Sequence, residues 1–421
     1  MSRSGRLVVV GGGVVGAACA YFTARSGWQV TLIDQGTFGG GCSHGNCGYV
    51  CPSHLLPLAA PGATWPAVKA LLQPNSPFKI RPRFDPALWT WLWRFARRCN
   101  ARQMMETARA LQPLLDESRE LFGELVRGPL TDCEWEERGL LFVFQTAAGF
   151  EHYAATDELL REHFQLGATR YDSEALTRLE PALKAGLGGA WHYEHDAHLR
   201  PDKLMSAWRR ALEGLGVTIR ERCEFREFTR RDSIVTGVET SDGKLSADAV
   251  VVATGAWTPR LQQQLGRSIP IQPGKGYSIT MPRPVRAPTI PMIFEEHRVA
   301  VTPMQSGYRI GSTMEFAGYD ASLNPRRLQL LRDGAKHYLH EPWAEPVIEQ
   351  WSGWRPMTPD GKPYIGQVPG CDNVFVAAGH GMLGVSMAPS TGKLIAELLS
   401  GESPHVDPQP YSFDRRDPGQ G

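Results

Sequence analysis

Hydrophobic positions alternate between two periods along the chain, and the order of those periods predicts its elements. Leu7–Val10 is a short β-branched run, Val14–Ser26 has apolar residues at helical spacing, and Gln29–Ile33 is a second strand-like run ending on Asp34. Strand, glycine turn, helix and strand are therefore expected at the N-terminus. Phe38–Pro61 is rich in Gly, Cys and Pro, too irregular for a long helix, and is expected as a loop held against something. A helical region follows, with Pro86–Met105 and Ala108–Val126 as its clearest helices, before a strand at Gly139–Phe144.

Strand signals resume at Val217–Arg220 and Ile234–Glu239, with a turn at Ser241-Asp242-Gly243 and a buried-type strand at Ala249–Ala253. From Ile271 to Met314 the apolar positions Tyr277, Ile279, Val299, Val301, Tyr308 and Ile310 alternate with polar ones. That pattern predicts an antiparallel sheet with one wetted face. Val374–Ala378 is a last buried-type strand, followed by Gly379-His380-Gly381 and a helix, Ala388–Leu399, closed by Gly401. The tail after Pro404 is expected to be poorly ordered, and no internal repeat is present.

At 421 residues the chain is long enough for two lobes. Lys plus Arg number 45 against 44 Asp plus Glu, so no global charge draws it to nucleic acid, and a small-molecule partner is expected. No segment offers the roughly 20 consecutive apolar residues of a membrane span. Arg3 and Arg6 before Leu7–Val10 could open a secretory leader. Gly11, Gly12, Gly13 and Gly16 interrupt the apolar region, however, and no leader is expected. Eight cysteines without CxxC pairs fit free thiols in a reducing cytoplasm. Cys42, Cys47 and Cys51 lack a fourth local ligand, so no metal is expected.

The chemistry begins at the glycine turn. A diphosphate needs backbone N–H groups at a helix N-terminus and an approach free of Cβ atoms, which Gly11, Gly13 and Gly16 provide, with Val14 and Val15 opening the helix. Asp34, followed by Gln35, stands where a carboxylate can accept both hydroxyls of an adenosine ribose. This pattern fits NAD as well as FAD. Candidate pieces of the nucleotide domain recur after residues 217, 249 and 360, which favours a long, buried cofactor.

The stretches Val8–Asp34, Cys42–Gly62, Val250–Trp257, Pro273–Ser278, Val299–Gly318, Trp351–Gly366 and Asn373–Gly384 together resemble the FAD-dependent D-amino-acid oxidase and dehydrogenase family, which includes glycine and sarcosine oxidases. The resemblance covers nearly the whole chain. Its sharpest parts are Trp354-Arg355-Pro356-Met357-Thr358-Pro359-Asp360-Gly361-Lys362-Pro363 and Gly379-His380-Gly381. Ser43-His44-Gly45-Asn46-Cys47-Gly48, Pro273–Tyr277 and Gly311–Glu315 lean toward bacterial D-amino-acid dehydrogenases.

The resemblance implies an α/β fold in which a Rossmann-type FAD-binding domain (1–62, 190–265 and 346–421) is interleaved with an antiparallel-sheet α+β substrate domain (63–189 and 266–345). It implies FAD held without a covalent bond, since no Cys lies at Gly353–Arg355. The implied neighbours of the cofactor include Ser43, His44, Gly45, Asn46, Gly48, Cys223, Thr254, Gly255, Trp257, Gly379, His380, Gly381, Met382, Leu383 and Gly384. The implied reaction is oxidation of a D-amino or D-imino acid, such as D-proline or cis-4-hydroxy-D-proline. The expected acceptor is a quinone or another carrier, the alternatives being an oxygen-using amine oxidase and a non-catalytic flavin subunit. Arg355 is expected to grip the substrate carboxylate, or else to pair with Asp360 or a backbone carbonyl. Tyr277 either adds a hydroxyl to that carboxylate or packs the sheet, and Ser53 or His54 either faces the substrate or is satisfied internally. Trp89–Arg98 mixes aromatics with arginines as an interfacial helix would, or packs within its own domain. A cytoplasmic protein, with peripheral attachment to the inner membrane, is the expected location.

Overall fold

The computed structural model describes residues 5–62, 76 and 78–415. The start of the helical region at 63–75, and the 62/63 domain boundary with it, lie outside these residues.

Four β-branched runs assemble the centre of a six-stranded sheet. Arg6–Val10 pairs in parallel with Gln29–Ile33 on one side and Ala249–Val252 on the other, with Val8 opposite Val250. Val374–Ala378 pairs in parallel with Ala249–Val252, and Thr218–Arg220 extends the far edge beside Gln29–Ile33. Tyr364–Gln367 closes the near edge in antiparallel sense. Strands buried on both faces read as continuous apolar runs, which is why these were visible in the sequence. Helices Val14–Arg25 and Gly384–Ser400 pack on one face, their small residues allowing close approach. A three-stranded sheet, Phe225–Arg231, Ile234–Thr240 and Gly243–Ser246, covers part of the other.

The second large sheet has nine strands. Its path runs Glu349–Met357, Gln272–Met281, Gly307–Phe316, Val299–Met304, Met292–Phe294, Leu140–Phe144, Gly189–Tyr193 and Thr169–Asp172, with Phe78–Ile80 added beside Gly307–Phe316. Gly189–Tyr193 and Glu349–Met357, which straddle or follow the boundaries expected at 190 and 346, both pair in this sheet.

Three expectations are corrected. The wetted face does not exist: Tyr277, Ile279, Val301 and Ile310 pack beneath the Pro325–Lys336 helix, but Ser278, Thr280, Thr302 and Arg309 on the opposite face are buried too. The Cys42–Gly48 loop covers them. The long helical pair breaks at Cys99-Asn100, giving Pro86–Arg98 and Ala101–Leu125, because the Asn100 side chain accepts from Gln103 N and caps the second helix. The described part of the tail is ordered, the residues after 415 lying outside the described ones: Tyr411 is buried with its hydroxyl on the Ala110 carbonyl, and Arg415 is buried against Asp360.

Candidate functional site

The carboxyl ends of the parallel strands open onto a cavity of about 510 Å³, whose wall includes Val10, Ile33, Ala253 and Ala378. Open α/β sheets bind their ligands at this edge. Strand order sets the order of the wall: Cys223 and Asp34, then Gly11, Gly13, Val14 and Val15, then Thr254, Gly255 and Trp257, then His380, Gly381, Met382 and Gly384. Ser43, Asn46, Gln35 and Arg355 complete it from the loops and from the larger sheet.

Two helix N-termini face this space. At the first, Ser43 Oγ accepts from Val14 N at 3.0 Å, so the loop and the glycine turn are one unit. At the second, Leu383 is the N-cap without a side-chain cap, and Gly384 and Val385 lie in the wall. Both ends carry partial positive charge and suit anionic groups. Gly16 lies behind the wall. A Cβ there would stand 1.8 Å from the Gly11 carbonyl oxygen, so the glycine serves the contact between turn and helix. Asp34 has a part that sequence alone did not suggest: its Oδ2 accepts from Gly12 N at 2.6 Å and its Oδ1 from Gly36 N at 2.7 Å, tying the turn to the end of the second strand.

The residues bordering the cavity but outside its wall hold the loop in place. His44 Nε2 is 2.8 Å from Glu349 Oε1, Gly45 lies beneath the Trp351 ring, and Gly48 meets the Leu199 carbonyl. Gly379 precedes the wall at His380. Arg309, unforeseen from sequence, organises this face. It is 1 % exposed, donates from Nη1 to the carbonyls of His44 and Asn46 at 3.1 and 2.7 Å, and from Nε to Thr280 Oγ1 at 2.9 Å. Asp202 and Glu349 stand 3.7 and 4.0 Å from its Nη2. An arginine between apolar positions of a strand reads as solvent-facing, and only the fold of the loop over the sheet reveals its burial.

Arg355 projects into the wall from the edge strand. Its Nη1 donates to the Thr313 carbonyl at 2.8 Å, and Gly276 lies directly beneath, where a Cβ would come within 2.4 Å of the guanidinium. A bulge presents that carbonyl: register slips between Lys275 and Tyr277, and Ser312 and Thr313 take φ of 107° and 49°. Backbone strain of this kind is stored where surrounding structure holds it. Asp360 is taken by Arg415 and Arg98, and no ion pair holds Arg355 among the described residues. Trp354 Nε1 is buried beside it with no hydrogen-bond partner among the described residues.

Three expected substrate contacts are directed elsewhere. Tyr277 is 1 % exposed and donates to Glu315 Oε2 at 2.7 Å on the helix-covered face. The His54 ring stacks on Phe142 at 6.0 Å, and burial lowers its pKa to about 4. Ser53 gives its hydroxyl to Asp196, and none of the three lines the cavity. His380 lines it by position, but its ring turns inward to Thr391 Oγ1 at 3.0 Å, and burial lowers its pKa to about 3. Cys42 lines the cavity, Cys47 packs at Gly311 and Cys51 lies by Ser386, so the three thiols point to different neighbours.

Asp196 carries a testable pH effect. Burial raises its pKa to about 7, with Ser53 its main partner. A carboxyl whose folded pKa lies above its unfolded value of about 3.9 stabilises the fold below that value and loses the contribution as pH rises toward 7. Asp196→Asn is therefore expected to gain stability relative to the native chain as pH rises from 5 to 8 (about the span of that titration), read by urea unfolding at each pH. A difference that stays flat across the range would refute the assignment.

A mostly parallel sheet with helices on one face and a small antiparallel sheet on the other, a glycine turn, two helix N-termini at one cavity and an acidic residue after the second strand define a dinucleotide-binding oxidoreductase fold. The family model described as FAD dependent oxidoreductase (DAO) matches residues 6–398, and the chain belongs to this family. Relatives named D-amino acid dehydrogenase include those of Granulibacter bethesdensis, 32% identical over 96% of this chain and 97% of that protein, and Xanthobacter autotrophicus, 34% identical over 97% and 99%. Among solved structures, glycine oxidase from Geobacillus kaustophilus superposes with a TM-score of 0.80 at 24% identity, covering 98% of this chain and all of that one, and shows the shared fold. FAD is the cofactor of the family. The cavity fits it, through Gly13, which has no side chain and only Ser43 Oγ near where one would stand, and through Trp354 Nε1, buried in the wall with no partner among the described residues. No helix among the described residues is long and apolar enough to cross a membrane.

Proposed function

We propose that this chain is a FAD-dependent dehydrogenase that oxidises a D-amino or D-imino acid to the imino acid, with D-proline or cis-4-hydroxy-D-proline as the preferred type. The observation that carries the reading is Arg355, a guanidinium in the cofactor cavity whose only hydrogen bond among the described residues is to a backbone carbonyl. Its remaining N–H groups are free to take a carboxylate in two parallel hydrogen bonds. The relatives' shared name supports an amino-acid substrate of D configuration.

In this reading the Gly11–Gly16 turn and Ser43 hold the diphosphate, Asp34 takes the ribose, and the N-terminus at Gly384 faces the flavin ring. FAD, when bound, accepts the hydride that leaves the substrate Cα. The protein's part is to position. Among the described residues, Cys42 and Cys47 feel the Arg355 charge and burial raises both thiols, Cys42 to about 11, while His380 in the same cavity wall is lowered to about 3 by burial. None of these is a base matched to an ammonium group at neutral pH, which favours an amine that enters neutral. The two-lobe division given above belongs to the same reading, with Gly189–Tyr193 and Glu349–Met357 assigned to the substrate lobe. So does a quinone acceptor met at a membrane surface by peripheral attachment of the Pro86–Arg98 helix, whose Trp91 packs inward while Trp89 and Trp93 are 47 and 57 % exposed.

The test is anaerobic bleaching of the flavin band by a panel of D- and L-amino acids. D-Proline-type substrates are expected to bleach fastest, at a rate that rises with pH along the substrate's own amine titration. Bleaching by L-isomers alone would overturn the stereochemistry, and stoichiometric peroxide in air would make the enzyme an oxidase.

A further inference from the structure

The cavity has an aromatic exit. The Trp354 ring meets the Trp257 ring edge-on at 5.2 Å between centroids, and Tyr319 lies 6.2 Å from each. Arg260 stacks its guanidinium on Tyr319 at 4.1 Å, and the Tyr319 hydroxyl donates to the Ala256 carbonyl at 2.6 Å. Trp257, Trp354 and Arg260 are all in the cavity wall, yet Arg260 is exposed to solvent. The rings therefore run without a break from beside Arg355 to the surface.

At the surface they meet an apolar patch. Tyr319 follows Gly307–Phe316, and the segment after Phe78–Ile80 runs alongside it: Arg81 bonds to Asp320 at 3.0 Å and Arg83 to the Phe316 carbonyl at 3.0 Å. Phe84, next in that segment, is 98 % exposed, and the exposed faces of Trp89 and Trp93 continue the patch on the following helix. Large apolar side chains grouped in this way mark a surface that meets a partner. Arg81 and Arg83 beside Phe84 are paired with Asp320 and Asp85, while Arg97 stacks on the Trp93 ring at 4.8 Å, so the patch combines apolar rings with a basic edge, as a segment lying at a lipid surface does.

We propose that Trp257, Tyr319 and Arg260, together with Phe84 and Trp89, form the docking site of the electron acceptor, a quinone. The head ring lies against Trp257 and Tyr319, the Arg260 guanidinium donates to a quinone carbonyl, and the lipid tail crosses Phe84 and Trp89. This rests on the dehydrogenase reading above. Two electrons and two protons reach the quinone, which leaves as the quinol while the flavin returns from its reduced to its oxidised form; one proton arrives with the reduced flavin and the other from water at the open mouth.

The test uses the full chain with FAD bound. The flavin is reduced photochemically without amino acid, mixed anaerobically with a short-tailed ubiquinone, and followed by the return of the oxidised flavin band. Reoxidation is expected to saturate with quinone, and Tyr319→Ala and Arg260→Gln are each expected to raise the half-saturating concentration about tenfold, the loss of one well-packed contact. Phe84→Ser, on the open surface, is expected to weaken a long-tailed quinone and to spare a tail-less one. As a binding readout, quinone should quench the tryptophan fluorescence of the oxidised protein at concentrations that shift with the same substitutions. Equal half-saturation in all variants, or reoxidation linear in quinone throughout, overturns the site. Should Tyr319→Ala lose its flavin, Arg260→Gln and Phe84→Ser decide. Because no amino acid enters the assay, failure of the amino-acid reading appears separately, as a flavin that no amino acid bleaches.

Discussion

Arg355→Ala is expected to lower kcat/KM for the D-amino acid by about 1,000-fold, equivalent to about 4 kcal/mol of lost charge-assisted contact in a desolvated site. The guanidinium is positioned from two sides. The Thr313 carbonyl at 2.8 Å fixes one end, and the bare backbone of Gly276 lets the plane lie flat on the sheet. What remains free is a fork, and a fork binds a carboxylate at two points. Arg355→Lys retains a charge but only one point of contact, so a loss of about 10- to 100-fold is expected, mostly in KM. Anaerobic flavin reduction at varied substrate concentration measures both, with the flavin content of each variant as the control. Turnover within tenfold of the native enzyme in Arg355→Ala would remove the residue from the substrate site.

Gly16→Ala is expected to yield a colourless and less stable protein. The added methyl would stand 1.8 Å from Gly11 O and 3.0 Å from Gly11 C, both backbone atoms of the turn, and neither can yield without moving the first strand from its helix. A loss of about 2–4 kcal/mol in unfolding free energy follows from forced overpacking of this kind. Gly13→Ala separates the two consequences. Its nearest atom would be Ser43 Oγ at 3.5 Å, so the fold accommodates it and only the approach of the diphosphate is obstructed. Flavin-to-protein absorbance ratios and thermal unfolding should therefore diverge for Gly13→Ala and fall together for Gly16→Ala. A yellow Gly16→Ala protein of native stability would refute the close contact.

The glycine turn and the strands on either side of it, which end at the cavity, were legible because their physics is local. Leu7–Val10, the glycines and Gln29–Asp34 are contiguous, and each residue type answers a need that the neighbouring residues create. Val374–Ala378 was equally plain, as a run of buried β-branched and small residues. The final helix was read as starting at Ala388, yet it begins at Gly384, since Gly-Val-Ser-Met has weak helical preference and is held by burial against the first helix. Ser53, His54 and Tyr277 were candidates by proximity in sequence to the cofactor loop or the sheet. Their partners, Asp196, Phe142 and Glu315, lie far along the chain or across a strand, and no local pattern announces them. Arg309 and the Arg415–Asp360 pair were missed for the same reason: a charged residue in sequence looks like surface until the element that covers it is known.

The interleaving of the six-stranded sheet has a consequence for how the protein comes into being. Val8 has to wait for Val250, and Val250 for Val374, before the centre of the sheet is paired on both sides. At a synthesis rate of about 5–20 residues per second, the N-terminal strand gains Gln29–Ile33 early but stays unpaired on its other side for much of the time the chain takes to emerge. Contacts so distant in sequence also make folding slow. The cavity is therefore among the last parts of the molecule to exist, and FAD can be captured only by a chain that is almost complete. During that interval the exposed edges of β-branched strands are the segments most in need of a chaperone.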